Sequence, residues 1–155
     1  MHQNPTKPLR HLIITGGAGF IGSQISARLL KEKSRVTILT RNVSAPQAVA
    51  LAQQGCKVVA CDLADANRIP RPEMLDTADA LFRFAAEVSI SSPTLRAANE
   101  DGTSRALALA NQLAISYVVY ASSIEAQGLR SEHEIPFRED MACRPVSEVS
   151  LDAVE

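Results

Sequence analysis

The sequence lacks any apolar run long enough to span a bilayer, and Met1 to Arg10 carries two prolines where a secretory leader would need a continuous apolar stretch. A soluble, cytoplasmic protein is the expectation, with no membrane partner. Sulfur and imidazole are sparse and scattered. Cys56, Cys61 and Cys143 form no CxxC pair and cannot all pair within one chain, and His2, His11 and His133 show no ligand spacing. No metal site is expected; the thiols read as reduced, Cys56 and Cys61 as small buried groups flanking a strand, and the histidines as solvated or capping. An excess of either charge is missing too. A formal net charge of -1 and a pI near 6.3 leave no electrostatic footprint for nucleic acid. Internal repeats and low-complexity segments are absent.

What is present is apolar material for one compact core: 155 residues, 46% of them hydrophobic. The most informative stretch runs Leu-Ile-Ile-Thr-Gly-Gly-Ala-Gly-Phe-Ile-Gly-Ser from Leu12 to Ser23. A strand buried on both faces ends abruptly at Thr15-Gly16-Gly17, and an amphipathic segment opens near Phe20. Strand, glycine turn, helix is the order of a phosphate-binding turn. Gly16 permits the tight bend, Gly19 lets the backbone approach a pyrophosphate, and Gly22 lets the helix pack closely on the strand. The free amides at the helix start then face the anion. The same glycines also suit a βα turn of purely structural use.

Farther along, Ile21, Ile25 and Leu29 continue the helix, and Arg35 to Thr40 reads as a second strand. Ser44 is the expected N-cap of a helix with Pro46 in its first turn and Gly55 at its end. Lys57 to Cys61 is a short third strand, and the prolines between Arg68 and Pro72 allow only a brief helix before Met74. Asp79 to Ala86 is expected as a fourth strand. From Ser92-Pro93 the apolar or small positions Leu95, Ala98, Gly102, Ala106, Leu109 and Leu113 predict the longest helix. Gly102 costs it about 1 kcal/mol relative to alanine, so close packing there is the expected compensation. Ser116 to Ala121 completes five strands.

This alternation predicts an α/β, Rossmann-like, doubly wound parallel sheet truncated at about five strands. A polar arm over 1–10, a dinucleotide-binding domain over 11–128 and a loop with a short terminal helix over 129–155 make up the domain reading. Ligands bind such sheets at the carboxyl ends of their strands, where Thr40-Arg41, Asp62, Ala85-Ala86 and Ser122-Ser123 all fall beside the glycine turn.

The chain resembles the extended short-chain dehydrogenase/reductase superfamily, in particular its NAD(P)-dependent epimerase/dehydratases acting on nucleotide sugars. Thr15 to Gly22 is close to the family's dinucleotide fingerprint, Asp62-Leu63 matches its adenine-side pair, and Phe84-Ala85-Ala86 the strand end under the cofactor. Asn99 with Gly102-Thr103 resembles its Asn-x-x-Gly-Thr helix, Tyr120-Ala121-Ser122-Ser123 its catalytic-serine strand, and Pro136 to Asp140 its substrate-side loop. The resemblance implies cofactor contacts from Gly16, Gly19, Phe20, Ile21, Gly22, Arg41, Asp62, Leu63, Ala85 and Ala86, with Ser123 as the catalytic serine.

Two departures qualify it. Thr40 followed by Arg41 stands where the family often has an acid on the ribose of NAD; a cation suits a 2′-phosphate, so NADP is favoured, with NAD the alternative. Arg41 as a merely solvated loop residue is the bland alternative. The places of the family's Tyr-x-x-x-Lys pair fall at Val149 and Ala153, and neither Tyr117 nor Tyr120 has a lysine four positions later. The expectation is a cofactor-binding half, with a nicotinamide dinucleotide and possibly a nucleotide sugar as partners, inactive on its own. A nucleotide-binding or regulatory module without turnover is the alternative.

Overall fold

The computed structural model describes residues 9–89 and 91–123. The arm up to residue 8 and every expectation from residue 124 onward, including the terminal helix, Val149 and Ala153, lie outside the described residues. The chain divides into two units, Met1–Tyr120 and Ala121–Glu155. Of the second, Ala121, Ser122 and Ser123 are described, and they are exposed and without regular structure.

The first unit is a parallel sheet of β1 (His11–Thr15), β2 (Arg35–Thr40), β3 (Lys57–Ala60), β4 (Ala80–Arg83) and β5 (Tyr117–Tyr120), in the order β3-β2-β1-β4-β5. Three helices cross between strands: α1 (Phe20–Lys31), α2 (Pro46–Gln53) and α3 (Gly102–Gln112). Strand alternation sorts the apolar side chains into two cores. Leu12, Ile14, Val36 and Ile38 face α1 and α2, with Ala48 and Leu51 packed on them. Ile13, Leu39 and Leu81 face the other way, against Ala106, Leu109 and Ala110 of α3. Burying each such Leu or Ile contributes about 2 kcal/mol, which is why β1, wholly buried, anchors the centre.

The doubly wound parallel architecture agrees with the sequence, but several local expectations do not. Ser44 is not the N-cap of α2. Ala45 holds that place because Pro46 is the first helical residue, and the Ser44 amide instead donates to Asn42 Oδ1 at 3.0 Å. The region before Met74 forms two short 3₁₀ turns, Ala66–Arg68 and Pro72–Met74. β4 stops at Arg83 rather than Ala86: the Phe84 amide still donates to the Thr15 carbonyl, and then the chain leaves the sheet toward Asn99. The long helix begins at Leu95 rather than Ser92 and passes through a π turn, Ala97–Asp101, before α3 begins. The Arg83 guanidinium binds the Ala98 and Asn99 carbonyls, and the Thr103 hydroxyl also donates to the Asn99 carbonyl, a side-chain intrusion that loosens the helical ladder. Gly102 is buried as expected, with Leu63 Cβ 3.1 Å from where its own Cβ would stand.

His11 is also buried rather than solvated. Its Nδ1–H donates to the Thr77 carbonyl at 2.6 Å, which leaves Nε2 to accept from the Thr37 hydroxyl at 3.0 Å. This ties β1 to β2 at the end of the sheet opposite the cleft described next.

Candidate functional site

The strand order reverses between β1 and β4, and a cleft of about 300 Å³ opens at the carboxyl ends of the strands there. Gly16, Gly19, Arg41, Asp62, Leu63, Ala85 and Ala86 line it together. These residues come from the ends of β1, β2, β3 and β4, so only the sheet brings them to one rim.

The turn between β1 and α1 is built without side chains. Gly16 has φ +68°, and a Cβ there would stand 2.6 Å from the Ala85 nitrogen, so both conformation and contact require glycine. A Cβ on Gly22 would lie 2.2 Å from the Gly16 carbonyl oxygen. The close approach that Gly22 permits is therefore to the turn itself, not to the strand as the sequence suggested. Gly17, for which the sequence offered no role, abuts Ile38. Gly19 is different: its missing Cβ would meet the Gly16 oxygen at 3.1 Å and otherwise face open space.

Gly19 is the N-cap of α1 and supplies no side-chain bond, and the first turn holds no acidic residue. The first bond of the helix runs from the Ser23 amide to the Gly19 carbonyl, so the amides of Phe20, Ile21 and Gly22 take no backbone acceptor. A positive helix end with open donors suits an anion. Phe20, Ile21 and Gly22 are not among the residues lining the cleft, and the side chains of the first two are exposed, 88% and 54%.

At the end of β2, Arg41 is exposed and has no hydrogen-bond or ionic partner among the described residues. At the end of β3, Asp62 is held in place: Oδ1 accepts the Ala64 amide at 3.1 Å and Oδ2 lies 3.4 Å from Arg68 Nη1. Arg105 of α3 donates to the Leu63 carbonyl at 2.6 Å and fixes the same segment. Cys61, also in the lining, has its thiol pushed up to about 11, chiefly by burial, so it stays neutral and is no nucleophile at ordinary pH. Among the described residues, no group of three or more His, Cys, Asp or Glu could hold a metal ion.

Past β4, the Asn99 carboxamide grips the rim from the π turn. Its Oδ1 accepts the Glu87 amide at 2.9 Å and its Nδ2 donates to the Glu87 carbonyl at 2.8 Å. Glu87 itself lines the cleft, its carboxylate accepting the Val88 and Ser89 amides at 3.1 Å each. Sequence reasoning missed Glu87, Thr15, Ala18, Asn42 and Ala98 as lining residues; the fingerprint contained Thr15, and the Asn-x-x-Gly-Thr pattern pointed to Asn99 without its target. Ser123 belongs to the second unit and is exposed.

The model of the NAD dependent epimerase/dehydratase family matches residues 12–150. UDP-arabinose 4-epimerase 1 of Arabidopsis thaliana is 36% identical over 92 residues, 54% of this chain and 22% of that protein. The 3 beta-hydroxysteroid dehydrogenase/Delta 5-->4-isomerase of Vaccinia virus (strain Western Reserve) is 30% identical over 129 residues, 80% of this chain and 36% of that one. The match thus spans between about a fifth and about a third of those relatives' length. Among solved structures, a short-chain dehydrogenase/reductase superfamily protein from Agrobacterium tumefaciens with bound NAD is 25% identical, with a TM-score of 0.70 over 88% of this chain and 40% of that chain.

Proposed function

The chain belongs to the NAD-dependent epimerase/dehydratase family, and from that membership we propose that it is a dinucleotide-binding portion that prefers NADP(H) to NAD(H) and does not by itself turn over a nucleotide sugar. The observation that carries the proposal is the glycine turn: Gly16 and Gly22 hold a bend that no side chain could enter, and it opens an uncapped helix beside the cleft.

The residues present fit a nicotinamide dinucleotide. The open amides of Phe20, Ile21 and Gly22 bind its diphosphate, Gly19 keeps the approach clear, Asp62 and Leu63 hold the adenine, and Ala85 and Ala86 leave room under the ring. Arg41, unpartnered, takes the 2′-phosphate that an acid would repel. A bound nicotinamide supplies the hydride acceptor or donor. Ser123 polarises a hydroxyl or carbonyl of the substrate, for which the family's nucleotide-sugar chemistry suggests a sugar nucleotide. In the sequence, Val149 and Ala153 stand at the positions that the family's spacing gives its tyrosine and lysine, and neither can move a proton. A regulatory role for the bound nucleotide is the reading this last feature favours over catalysis.

Calorimetric titration of the full chain with NADPH and NADH tests the proposal. NADPH is expected to bind about tenfold more tightly, and Arg41→Glu to reverse the order. Failure of both to bind at millimolar concentration defeats the dinucleotide reading, and hydride transfer to a sugar nucleotide by this chain defeats the claim of no turnover.

A further inference from the structure

Arg83, the last residue of β4, is 2% exposed, and among the described residues no carboxylate pairs with it. Neutral groups solvate its charge. Nη1 donates to the Ala85 carbonyl, Nη2 to those of Ala98 at 3.0 Å and Asn99 at 3.3 Å, and the Tyr120 ring centre lies 5.2 Å from the guanidinium carbon. Its Nε is buried with no partner. The next strand repeats the pattern: Thr15 stands in register with Arg83, its hydroxyl equally buried and unpartnered, and Thr15 lines the cleft.

A buried cation without a counter-charge is costly, and an apolar side chain of similar size would avoid the cost. The position of the charge suggests what offsets it. Ala85 and Ala98, whose carbonyls Arg83 holds, both line the cleft, so the guanidinium lies directly behind that wall. None of the other charged groups there is paired with it: Asp62 pairs with Arg68 and Asp101 with Arg105, the Glu87 carboxylate keeps its charge but turns to the Val88 and Ser89 amides, and Arg41 is a second cation.

We propose that Arg83 is a positioning residue for the anionic part of the ligand: an interior positive charge that the diphosphate of a bound nucleotide neutralises, so that the cleft selects a nucleoside diphosphate over a neutral nucleoside. This rests on the dinucleotide reading of the same cleft. Thr15, adjacent in the sheet, offers its unpartnered hydroxyl on the same side.

Arg83→Met removes charge and donors, Arg83→Gln removes the charge but keeps an amide donor, and Arg83→Lys keeps the charge. Each is made in the full chain and titrated with NADPH, ADP and adenosine, followed by NMR. Arg83→Met and Arg83→Gln are expected to lose about tenfold in affinity for NADPH and ADP while adenosine binding is unchanged, and Arg83→Lys to stay within about threefold of the parent. Should Arg83→Met fail to fold, Arg83→Gln against Arg83→Lys carries the same contrast. Equal losses for ADP and adenosine, or for Arg83→Lys and Arg83→Gln, overturn the inference and leave Arg83 a strut of the wall. A parent chain that binds NADPH alongside an Arg83→Gln variant that binds it equally well overturns this inference alone. A parent that binds none of the three removes the dinucleotide reading and the inference with it.

Discussion

The two connections that flank the switch point perform one task by opposite means. Between β1 and α1 the chain turns on backbone alone, with glycines where any Cβ would strike the turn or the Ala85 peptide. Between β4 and α3 the path is long, and polar side chains hold it: Arg83 fastens three carbonyls and Asn99 clasps both backbone groups of Glu87. A short turn leaves few backbone groups over, here the amides of Phe20, Ile21 and Gly22. A long one has backbone donors and acceptors with no partner nearby, so distant side chains must supply them, and in doing so they carry polar groups and one charge into the interior.

The largest expected effect tests the glycine half. In Gly22→Ala a methyl would sit against the Gly16 carbonyl, which is backbone and cannot swing aside, so a loss of about 3 kcal/mol in urea unfolding is expected. Gly19→Ala, with its nearest obstacle at 3.1 Å, is expected to stay within about 0.5 kcal/mol of the parent while weakening NADPH binding. Equal stability of the two variants would break the claim that this turn is fixed by backbone contact. On the other side, Asn99→Ala leaves the Glu87 amide and carbonyl without partners and is expected to cost about 2 kcal/mol, with faster amide exchange at Glu87.

The smallest effect serves as a control from the far end of the sheet. There the Asp79 carboxylate accepts the His11 and Arg10 amides at 2.8 Å each, and these bonds hold its carboxyl below the usual carboxylate range. A depressed value stabilises the fold above the ordinary carboxylate pKa of about 4 and ceases to as pH falls through the folded value. Asp79→Asn is therefore expected to lower the melting temperature slightly at pH 7, to converge with the parent as pH falls through the depressed folded value, and to leave NADPH affinity unchanged. A change in affinity would show that the two ends of the sheet are coupled.

The first connection was legible in the sequence because each glycine is itself the structural device, and the bend is made within residues 16 to 22. The second was not. Arg83 read as one more residue of a strand, since nothing in Leu-Phe-Arg-Phe announces that the arginine would be capped by Ala98 and Asn99, 15 and 16 positions away. The same blindness ran a regular helix straight through residues 97–101: the apolar spacing continues there, but the Ala98 and Asn99 carbonyls are taken by Arg83 and Thr103, and the ladder loosens into a π turn. His11 escaped for a like reason, its partners Thr37 and Thr77 being remote in the chain.

By itself the sequence determined the parallel α/β class, the five strands and the glycine bend, because periodicity and the missing Cβ act over a few neighbouring residues. Only the tertiary structure decided the order β3-β2-β1-β4-β5, the grip of Asn99 on Glu87 at the rim, and the burial of Arg83 behind its wall. Those depend on which distant segments come to share a boundary, and the energy of a buried charge is set by that company rather than by its place in the chain.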